Sequence, residues 1–292
     1  MEGLLNSAAP LMLAGLGALL TDLSGALGIF IEGFMISGAF FSWVFAGWTG
    51  SIFWGTFISA ALAALVGWGL AYFVRLSGAN PFIAGLALNL AASGITLSLS
   101  AAWFGTKGVL YNPAIRMPTS ISLFESVPFI GNFLSSQNPF TYTAWASAIL
   151  IAIALYRTVP GLRLRASGLS PEASTERGVR PGLYREGAWA MAAFLAALAG
   201  AALTFRVGAY APGGIAGRGW IALAAVYLGF RKPWGVVIAA IVFSGAERLG
   251  HSAQAFGGLP ATALLGLPSA LALLFYSLAV LLKRPGGGVK AQ

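Results

Sequence analysis

Side chains that could carry out acid–base, nucleophilic or metal chemistry are scarce in this 292-residue chain. It contains eight acidic residues, a single histidine at position 251 and no cysteine. The lack of cysteine excludes a disulfide framework and a thiol-based site, and one histidine does not make a metal-binding cluster. The sequence offers no Ser/His/Asp set and no pair of carboxylates in one apolar segment. We therefore predict that the chain is not an enzyme and holds no cofactor of its own.

A few polar side chains interrupt long apolar segments, where a carboxylate or an amide needs a partner. Glu32 either faces a path for a polar solute, pins a broken helix, or pairs with a basic residue of a neighbouring helix. Asn80 can cap a helix, whereas Asn89 and Ser93 lie with Thr96 on one helical face. That face either lines a polar path or joins two helices. An amide also offers a donor and an acceptor to a heterocycle, so Asn80 and Asn89 are candidate solute contacts.

A second group of candidates surrounds residues 206–218. The aromatic rings of Phe205, Tyr210 and Trp220, with Arg206 and Arg218 nearby, can stack on a flat heterocycle. An aromatic belt at the membrane surface is the alternative explanation for Trp220. We take Phe205, Arg218 and Trp220 as candidates for a solute path.

The elements that position these residues must be membrane-spanning helices. Hydrophobic residues make up 58% of the chain, charged residues only 9%, and the mean hydropathy is +0.82. A soluble domain has about a quarter charged residues. The net charge of +9 does not indicate nucleic acid, because the basic residues lie in short segments between apolar runs. We predict one all-α polytopic domain over residues 1–292, embedded in a lipid bilayer.

About 20 mostly apolar residues cross the hydrocarbon core as a helix. Nine segments meet or approach this length, and the seventh is too short to cross as a straight helix. They are residues 4–20, 25–46, 51–74, 82–104, 140–156, 187–205, 219–230, 234–250 and 260–282. The short seventh segment and the eighth predict a broken or hairpin arrangement near a path. The first lacks a basic flank and is expected to stay in place rather than be cleaved.

The basic residues predict the orientation, because Lys and Arg gather in cytoplasmic loops. With the N-terminus outside and the C-terminus inside, 12 of the 17 basic residues lie in cytoplasmic segments. Residues 105–139 then form an external loop, which is either a cap over a path or a docking surface for an external partner. Residues 157–186 form a cytoplasmic loop.

This cytoplasmic loop contains the signals of a short helix near residues 171–178. Ser170 can cap it, Pro171 suits the first helical position, and Glu172 lies in the electropositive first turn. Gly178 is suited to end it. Such a helix is either a solvated loop held by anionic lipid or a docking element for another cytoplasmic protein.

The residue order in this helix favours docking. Glu172, Ala173 and Ser174, followed by three residues and then Gly178, resemble the EAA-x3-G signature of ABC-importer permeases. In that family the helix is the coupling helix, which sits in a cleft of the ATPase subunit. The upstream residues 161–174 resemble the form of this loop in the sugar and nucleoside branch. The resemblance thus implies ATPase contacts by Arg163, Arg165, Pro171, Glu172, Ala173, Ser174 and Gly178.

Three further blocks resemble the same branch. The first block, within residues 24–40, consists of SG, IEGFM and GAF. The second, within 80–90, consists of NP and AGLALNL. The third, within 217–235, consists of GRGWIALAAV, a single G and PWG. The four ordered blocks extend over almost the whole chain. Together they resemble the permeases of nucleoside importers that work with lipoprotein receptors of the basic-membrane-protein type.

The resemblance implies a type II-like ABC importer permease in a bacterial cytoplasmic (inner) membrane. It implies three partners: a homologous, longer permease chain, a cytoplasmic ABC ATPase with ATP and Mg²⁺, and an extracytoplasmic substrate-binding lipoprotein. The chain itself has no GxxxxGK[ST] phosphate loop. Energy for uphill transport therefore comes from another chain or from an ion gradient.

One departure from the family pattern leaves the solute open. The family has Asn and Gly where this chain has Gly28 and Phe30, so an amide is lost and a ring is gained near Glu32. If this block lines the path, Phe30 is a solute contact and riboflavin is an alternative to a nucleoside. Hydropathy alone also allows a secondary transporter. A channel is suggested only by the single NPA triplet at residues 112–114, whereas water and glycerol channels need two.

Overall fold

The computed structural model of the protein describes residues 2–112, 115, 137–215 and 217–255. Within these ranges the chain forms ten helices and one pair of two-residue strands. The helices are α1 (Glu2–Leu23), α2 (Ile31–Thr49), α3 (Ile52–Ser77), α4 (Pro81–Phe104), α5 (Pro139–Arg157), α6 (Val159–Leu169), α7 (Pro171–Glu176), α8 (Pro181–Val207), α9 (Arg218–Leu228) and α10 (Pro233–Ala255). The strands are β1 (Leu110–Tyr111) and β2 (Ala209–Tyr210).

Three of the helices begin at a capping side chain that is followed by proline. Asn80, Asn138 and Ser170 each accept a hydrogen bond from a backbone N–H in the first turn of α4, α5 and α7. The proline occupies a position whose N–H would have no helical partner. Local sequence therefore defines where these three helices start.

α8 is the central helix and packs against α1, α2 and α3. Its many alanines and glycines let neighbouring backbones approach closely. Gly200 lies against the backbone of Met35 in α2, and Gly38 of α2 lies against the backbone of Ala197. Membrane helices use small residues in this way, because lipid gives them no hydrophobic drive to associate. α1, α2 and α8 are consequently the most buried of the long helices.

α3, α4 and α5 lie at the periphery and expose large apolar side chains. Leu90 on α4, for example, is 77% exposed, and Phe53 on α3 is 69% exposed. Apolar surface of this extent is normally covered by lipid or by another protein. In the described ranges six helices, α1 to α5 and α8, are long and apolar enough to cross a membrane.

Two ion pairs lie at one end of the helix bundle, which we call the basic end. Arg75 at the end of α3 bonds to Glu186 near the start of α8, with Nε and Oε1 2.6 Å apart. Arg231, after α9, bonds to Asp22 at the end of α1. α6 and α7 lie at this same end. β1 and β2 pair antiparallel at the opposite end, to which α4 and α8 lead.

Each of the first eight predicted spans coincides with a helix, and the ninth, residues 260–282, lies outside the described residues. The second begins at Ile31 rather than at residue 25, because residues 24–30 form turns. The predicted loop 157–186 contains an additional helix, α6, which Thr158 caps. Most of the predicted external loop 105–139 lies outside the described residues. The number of crossings and the orientation stay predictions.

Candidate functional site

α9 is too short to cross a membrane. Its 11 residues extend about 16 Å at a rise of ~1.5 Å per residue, which is about half of a ~30 Å hydrocarbon core. The turn after α9 lies at the basic end, where Arg231 meets Asp22. α9 therefore begins near the middle of the bundle, and non-helical residues lead into it from β2. The shortness of the seventh apolar segment, residues 219–230, had indicated a broken helix at this position.

Glu32 holds the start of α9. Its Oε1 accepts the Gly217 N–H at 2.9 Å and its Oε2 accepts the Gly219 N–H at 2.6 Å. A helix N-terminus has unpaired N–H groups and a partial positive charge, and a carboxylate compensates both. A side chain at position 219 would collide with Glu32, so glycine is required there. Of the interpretations of Glu32, the structure supports the pinning of a broken helix.

Arg218, the first residue of α9, bonds within the chain. Its Nε lies 3.6 Å from Oε1 of Glu247 on α10, and its Nη1 donates to the Gly214 carbonyl at 3.0 Å. Arg218 thus joins the entry segment of α9 to α10. The next aromatic residue, Trp220, is 45% exposed and remains accessible beside the start of α9.

Asn89 joins α4 to the start of α2. Its Oδ1 accepts the Gly33 N–H at 2.7 Å, and its Nδ2 donates to the Ile29 carbonyl at 2.9 Å. The amide is buried, so both of its hydrogen-bonding groups are used inside the protein. The structure therefore supports helix joining rather than path lining for this residue.

Two aromatic candidates lie in the protein core. Phe30 is fully buried, with its ring centroid 4.6 Å from that of Trp189 and 5.4 Å from that of Phe34. Phe205 is buried against Phe140, with nearly parallel rings 6.2 Å apart. Both rings pack against core side chains of this chain, and their contact with a solute stays a prediction.

Asn80 and Ser93 make local hydrogen bonds on α4. Asn80 caps the helix by accepting the Phe82 N–H at 2.9 Å, in agreement with the capping interpretation. The Ser93 hydroxyl donates to the Asn89 carbonyl at 3.1 Å and lies on the exposed face of the helix. Ser93 and Trp220 are thus the polar and aromatic path candidates that retain accessible surface.

Tyr210 on β2 lies at the end of the bundle opposite the basic end. Its ring packs edge-on against Phe40 at 5.2 Å. Burial raises the pKa of the Tyr210 phenol, and a hydrogen bond with Thr96 of α4 opposes this rise. The Tyr210 side chain thus lies between Phe40 of α2 and Thr96 of α4.

α7 is a short, capped helix on the surface of the basic end. Ser170 Oγ accepts the Ala173 N–H at 3.4 Å. At the other end Gly178 has a φ of +74°, and the Val179 N–H donates to the Ser174 carbonyl at 3.0 Å. Ser174 is buried against the protein. The exposed side chains of the helix are those of Pro171, Glu172, Ala173, Thr175 and Glu176. The predicted helix is thus confirmed at this position.

Arg163 and Arg165 lie on α6 and contact this chain. Arg163 Nη1 donates to Tyr184 Oη at 3.4 Å, and the Arg165 guanidinium lies 4.7 Å from the centroid of the Tyr156 ring. A cation over an aromatic face is attracted to it. Both arginines thereby help to hold α6 on the bundle, and their contact with an ATPase stays a prediction.

The residues that link α1 to α2 form a hydrogen-bonded segment, in which the sequence had indicated only Phe30 as a functional candidate. We call residues 24–30 the α1–α2 connection. Trp189 Nε1 donates to the Ala26 carbonyl at 3.3 Å, and the Gly28 N–H donates to Thr21 Oγ1 at 2.9 Å. The sequence signals in this segment were the small-residue run SGALG at 24–28 and the departure from the family pattern at Gly28 and Phe30.

The arrangement positions its helices through hydrogen bonds and ion pairs. In the part of the chain that the structure describes, no group of three His, Asp or Glu side chains could hold a metal ion.

Residues 1–283 match the protein family described as the branched-chain amino acid transport system permease component. The chain belongs to this family. It is therefore a multi-pass membrane protein and a transport subunit rather than an enzyme.

Three relatives are described as ABC transporter permeases. The guanosine ABC transporter permease NupQ of Bacillus subtilis is 29% identical, covering 91% of this chain and 87% of its own. The nucleoside ABC transporter permease NupC of Lactococcus lactis is 29% identical over 80% of this chain and 76% of its own length. The putative glucose ABC transporter permease TsgC13 of Haloferax volcanii is 28% identical over 85% of this chain and 76% of its own length. No solved structure matches the permease significantly.

Proposed function

We propose that this permease is the membrane subunit of an ATP-driven importer for a nucleoside-like solute. It acts in the cytoplasmic membrane of a bacterium with a homologous, longer permease chain. A cytoplasmic ABC ATPase, which binds ATP and Mg²⁺, drives it, and an extracytoplasmic lipoprotein delivers the solute. The names of two relatives, which refer to guanosine and to nucleosides, support this solute class.

The observation that carries the proposal is α7 at the basic end. A charged helix of six residues with both ends capped presents five exposed side chains to solvent. A segment this short is not stable by itself and keeps its shape through its caps and its contact with the protein. Such a preformed surface is suited to docking, because little entropy is lost on binding. We take the basic end to be cytoplasmic and α7 to be the ATPase contact.

The exposed surface of α3 and α4 is the proposed contact for the second permease. Only 17% of the most apolar stretch of α4 is buried in this chain. Along α4, Ala87, Ala91, Gly94 and Ser98 lie about one turn apart on the exposed face. Small residues at this spacing let a neighbouring membrane helix approach closely.

The solute path runs past the start of α9. Non-helical backbone at this depth needs burial in protein or a water-filled cavity. Gly213 and Gly214, in the segment that leads into α9, are exposed, and so is Trp220. An indole at this position can stack on a purine. ATP binding closes the ATPase dimer, α7 moves with it, and the helices around α9 open to one side or the other.

Reconstitution tests this function directly. The purified permease pair, ATPase and receptor are placed in proteoliposomes, and accumulation of labelled guanosine is measured with and without internal ATP. Accumulation that needs both ATP and the ATPase supports the proposal. Accumulation that is unchanged without ATP but abolished by ionophores identifies a secondary transporter, and ionophore-resistant equilibration identifies a channel.

Receptor calorimetry identifies the solute. Titration of the cognate lipoprotein with adenosine, guanosine, inosine and riboflavin should give tight binding for at least one nucleoside. Riboflavin is included because of the residues at positions 28 and 30, although the buried Phe30 ring gives it no structural support. Tight riboflavin binding without nucleoside binding would overturn the nucleoside assignment and leave the ATP-driven mechanism intact.

A further inference from the structure

The α1–α2 connection lies between the cytoplasmic helices and the half-length helix α9. On one side, Gly168 of α6 lies against the backbone of Leu23 and Gly25. On the other side, the flanking residues Asp22 and Glu32 hold the two ends of α9. One continuous stretch of 11 residues, 22–32, thus contacts both the α6–α7 unit and α9.

The contact with α6 has no spare room. A methyl group on Gly168 would overlap the Leu23 carbonyl oxygen and would lie 2.8 Å from the Gly25 nitrogen. A methyl group on Gly25 would lie 3.0 Å from the Gly168 Cα, and Gly25 also has a φ of +83°. Backbone therefore touches backbone at this point, and such a contact passes a displacement on without side-chain slack.

The connection is stiff enough to transmit a displacement to α9. Besides the bonds with Trp189 and Thr21, the connection is bonded to Asn89 through its Ile29 carbonyl, and Asn89 also bonds the Gly33 N–H in the first turn of α2. Glu32 then fixes the N-terminus of α9, and Asp22 fixes the turn that follows it. Movement of residues 22–32 must therefore carry α9 along or break these bonds.

We propose that Gly168 and Gly25 are positioning residues that convert movement of α7 into movement of α9. This proposal rests on the proposed function. When the ATPase displaces α7 and α6, the glycine contact shifts the α1–α2 connection, and the bonds of Asp22 and Glu32 shift both ends of α9. A substitution at the contact should separate ATP hydrolysis from transport without removing either the ATPase surface or the solute path.

The test compares Gly168→Ala with Gly187→Ala in the reconstituted complex. Gly187 also lies in a helix near the basic end, but a methyl group there meets no neighbour within 4 Å. Uptake and ATP hydrolysis are measured on the same proteoliposomes. We expect Gly168→Ala to lower uptake about tenfold, with hydrolysis within about twofold of the parent, a coupling loss of the size usual between linked sites. Gly187→Ala should match the parent in both.

A second pair covers the case in which Gly168→Ala does not assemble. Gly25→Ala alters the same contact from the other side. Gly78→Ala is its control, because Gly78 has a similar φ of +65° with nothing within 4 Å of an added methyl group. Backbone strain is then matched, and only the contact differs.

Two results would overturn the proposal. In the first, the contact variants transport as well as their controls. In the second, uptake and hydrolysis fall in equal proportion, as expected for a merely structural contact. Failure of the proposed function is a separate outcome, because the parent complex itself would then show no ATP-dependent uptake.

Discussion

The carboxylate of Glu32 accepts a hydrogen bond from the Gly219 N–H at 2.6 Å, although 187 positions separate the two residues. The bond joins the first turn of α2 to the first turn of α9. A carboxylate that accepts two backbone N–H groups at a helix N-terminus is stabilised by charge-assisted bonds and by the helix dipole. Glu32 is thus an acid inside an apolar bundle whose role is to hold α9.

Replacement of Glu32 by glutamine should destabilise the permease by about 1–3 kcal/mol. The amide nitrogen would face one of the two N–H groups and leave it without an acceptor. Thermal unfolding of the purified protein in detergent measures this loss. The matched control is Glu176→Gln on the exposed surface of α7, which should unfold at the parental temperature. Equal melting temperatures for both variants would show that Glu32 does not hold α9.

Asn89→Leu should cost more stability than Asn80→Ala. The first leaves a buried N–H and a buried carbonyl without partners, at about 1–3 kcal/mol for each group. The second removes an exposed helix cap, worth about 1 kcal/mol. Both amides lie on α4, so the comparison separates burial from the loss of an amide. The reverse order in denaturant or thermal unfolding would contradict the joining role of Asn89.

What the sequence could predict was local. The start of α7 followed from Ser170 and Pro171, and its end followed from Gly178, because capping depends on residues within one turn. The spans followed from apolar length. The partners of Glu32 and Asn89 could not be predicted, because each bond joins helices that are distant in sequence.

The sequence also left the direction of side chains undetermined. In an apolar helix with hydrophobic residues on all faces, periodicity does not show which face is buried. Phe30 was interpreted as a path residue because it departs from the family pattern, and Phe205 because of the aromatic and basic residues near it, yet both pack in the core. α6 was missed because its mixed polar and apolar residues show no strong helical period.

The effect of Arg231→Gly on the free energy of unfolding should depend on the residue at position 22. Phe230 and Arg231 have φ values of +54° and +57°, which cost side-chain-bearing residues about 1–3 kcal/mol each. In the parent, glycine relieves this strain but breaks the bond to Asp22. In an Asp22→Ala background only the relief remains, so Arg231→Gly should be stabilising. Four unfolding curves form the double-mutant cycle, and strictly additive effects would show that the ion pair does not stabilise this turn.

Glu172→Lys should abolish ATP-driven uptake while solute binding by the receptor is unchanged. The reversal costs the helix only about 0.3–1 kcal/mol through its dipole, so a complete loss must come from the docking surface. Arg157→Glu is the control, because it reverses an exposed charge near the basic end but off α7. Normal uptake by Glu172→Lys would contradict a coupling role for α7.

Site-directed crosslinking tests the central claim, that α7 is the contact for the ATPase. The chain has no cysteine, so a photoreactive label can be attached at Glu176→Cys on α7 or at Leu90→Cys on the exposed face of α4. In the assembled complex that hydrolyses ATP, we predict that the label on α7 forms an adduct with the chain that carries the phosphate loop. The label on α4 should form none. An active complex in which no label on α7 reaches the ATPase would contradict the account.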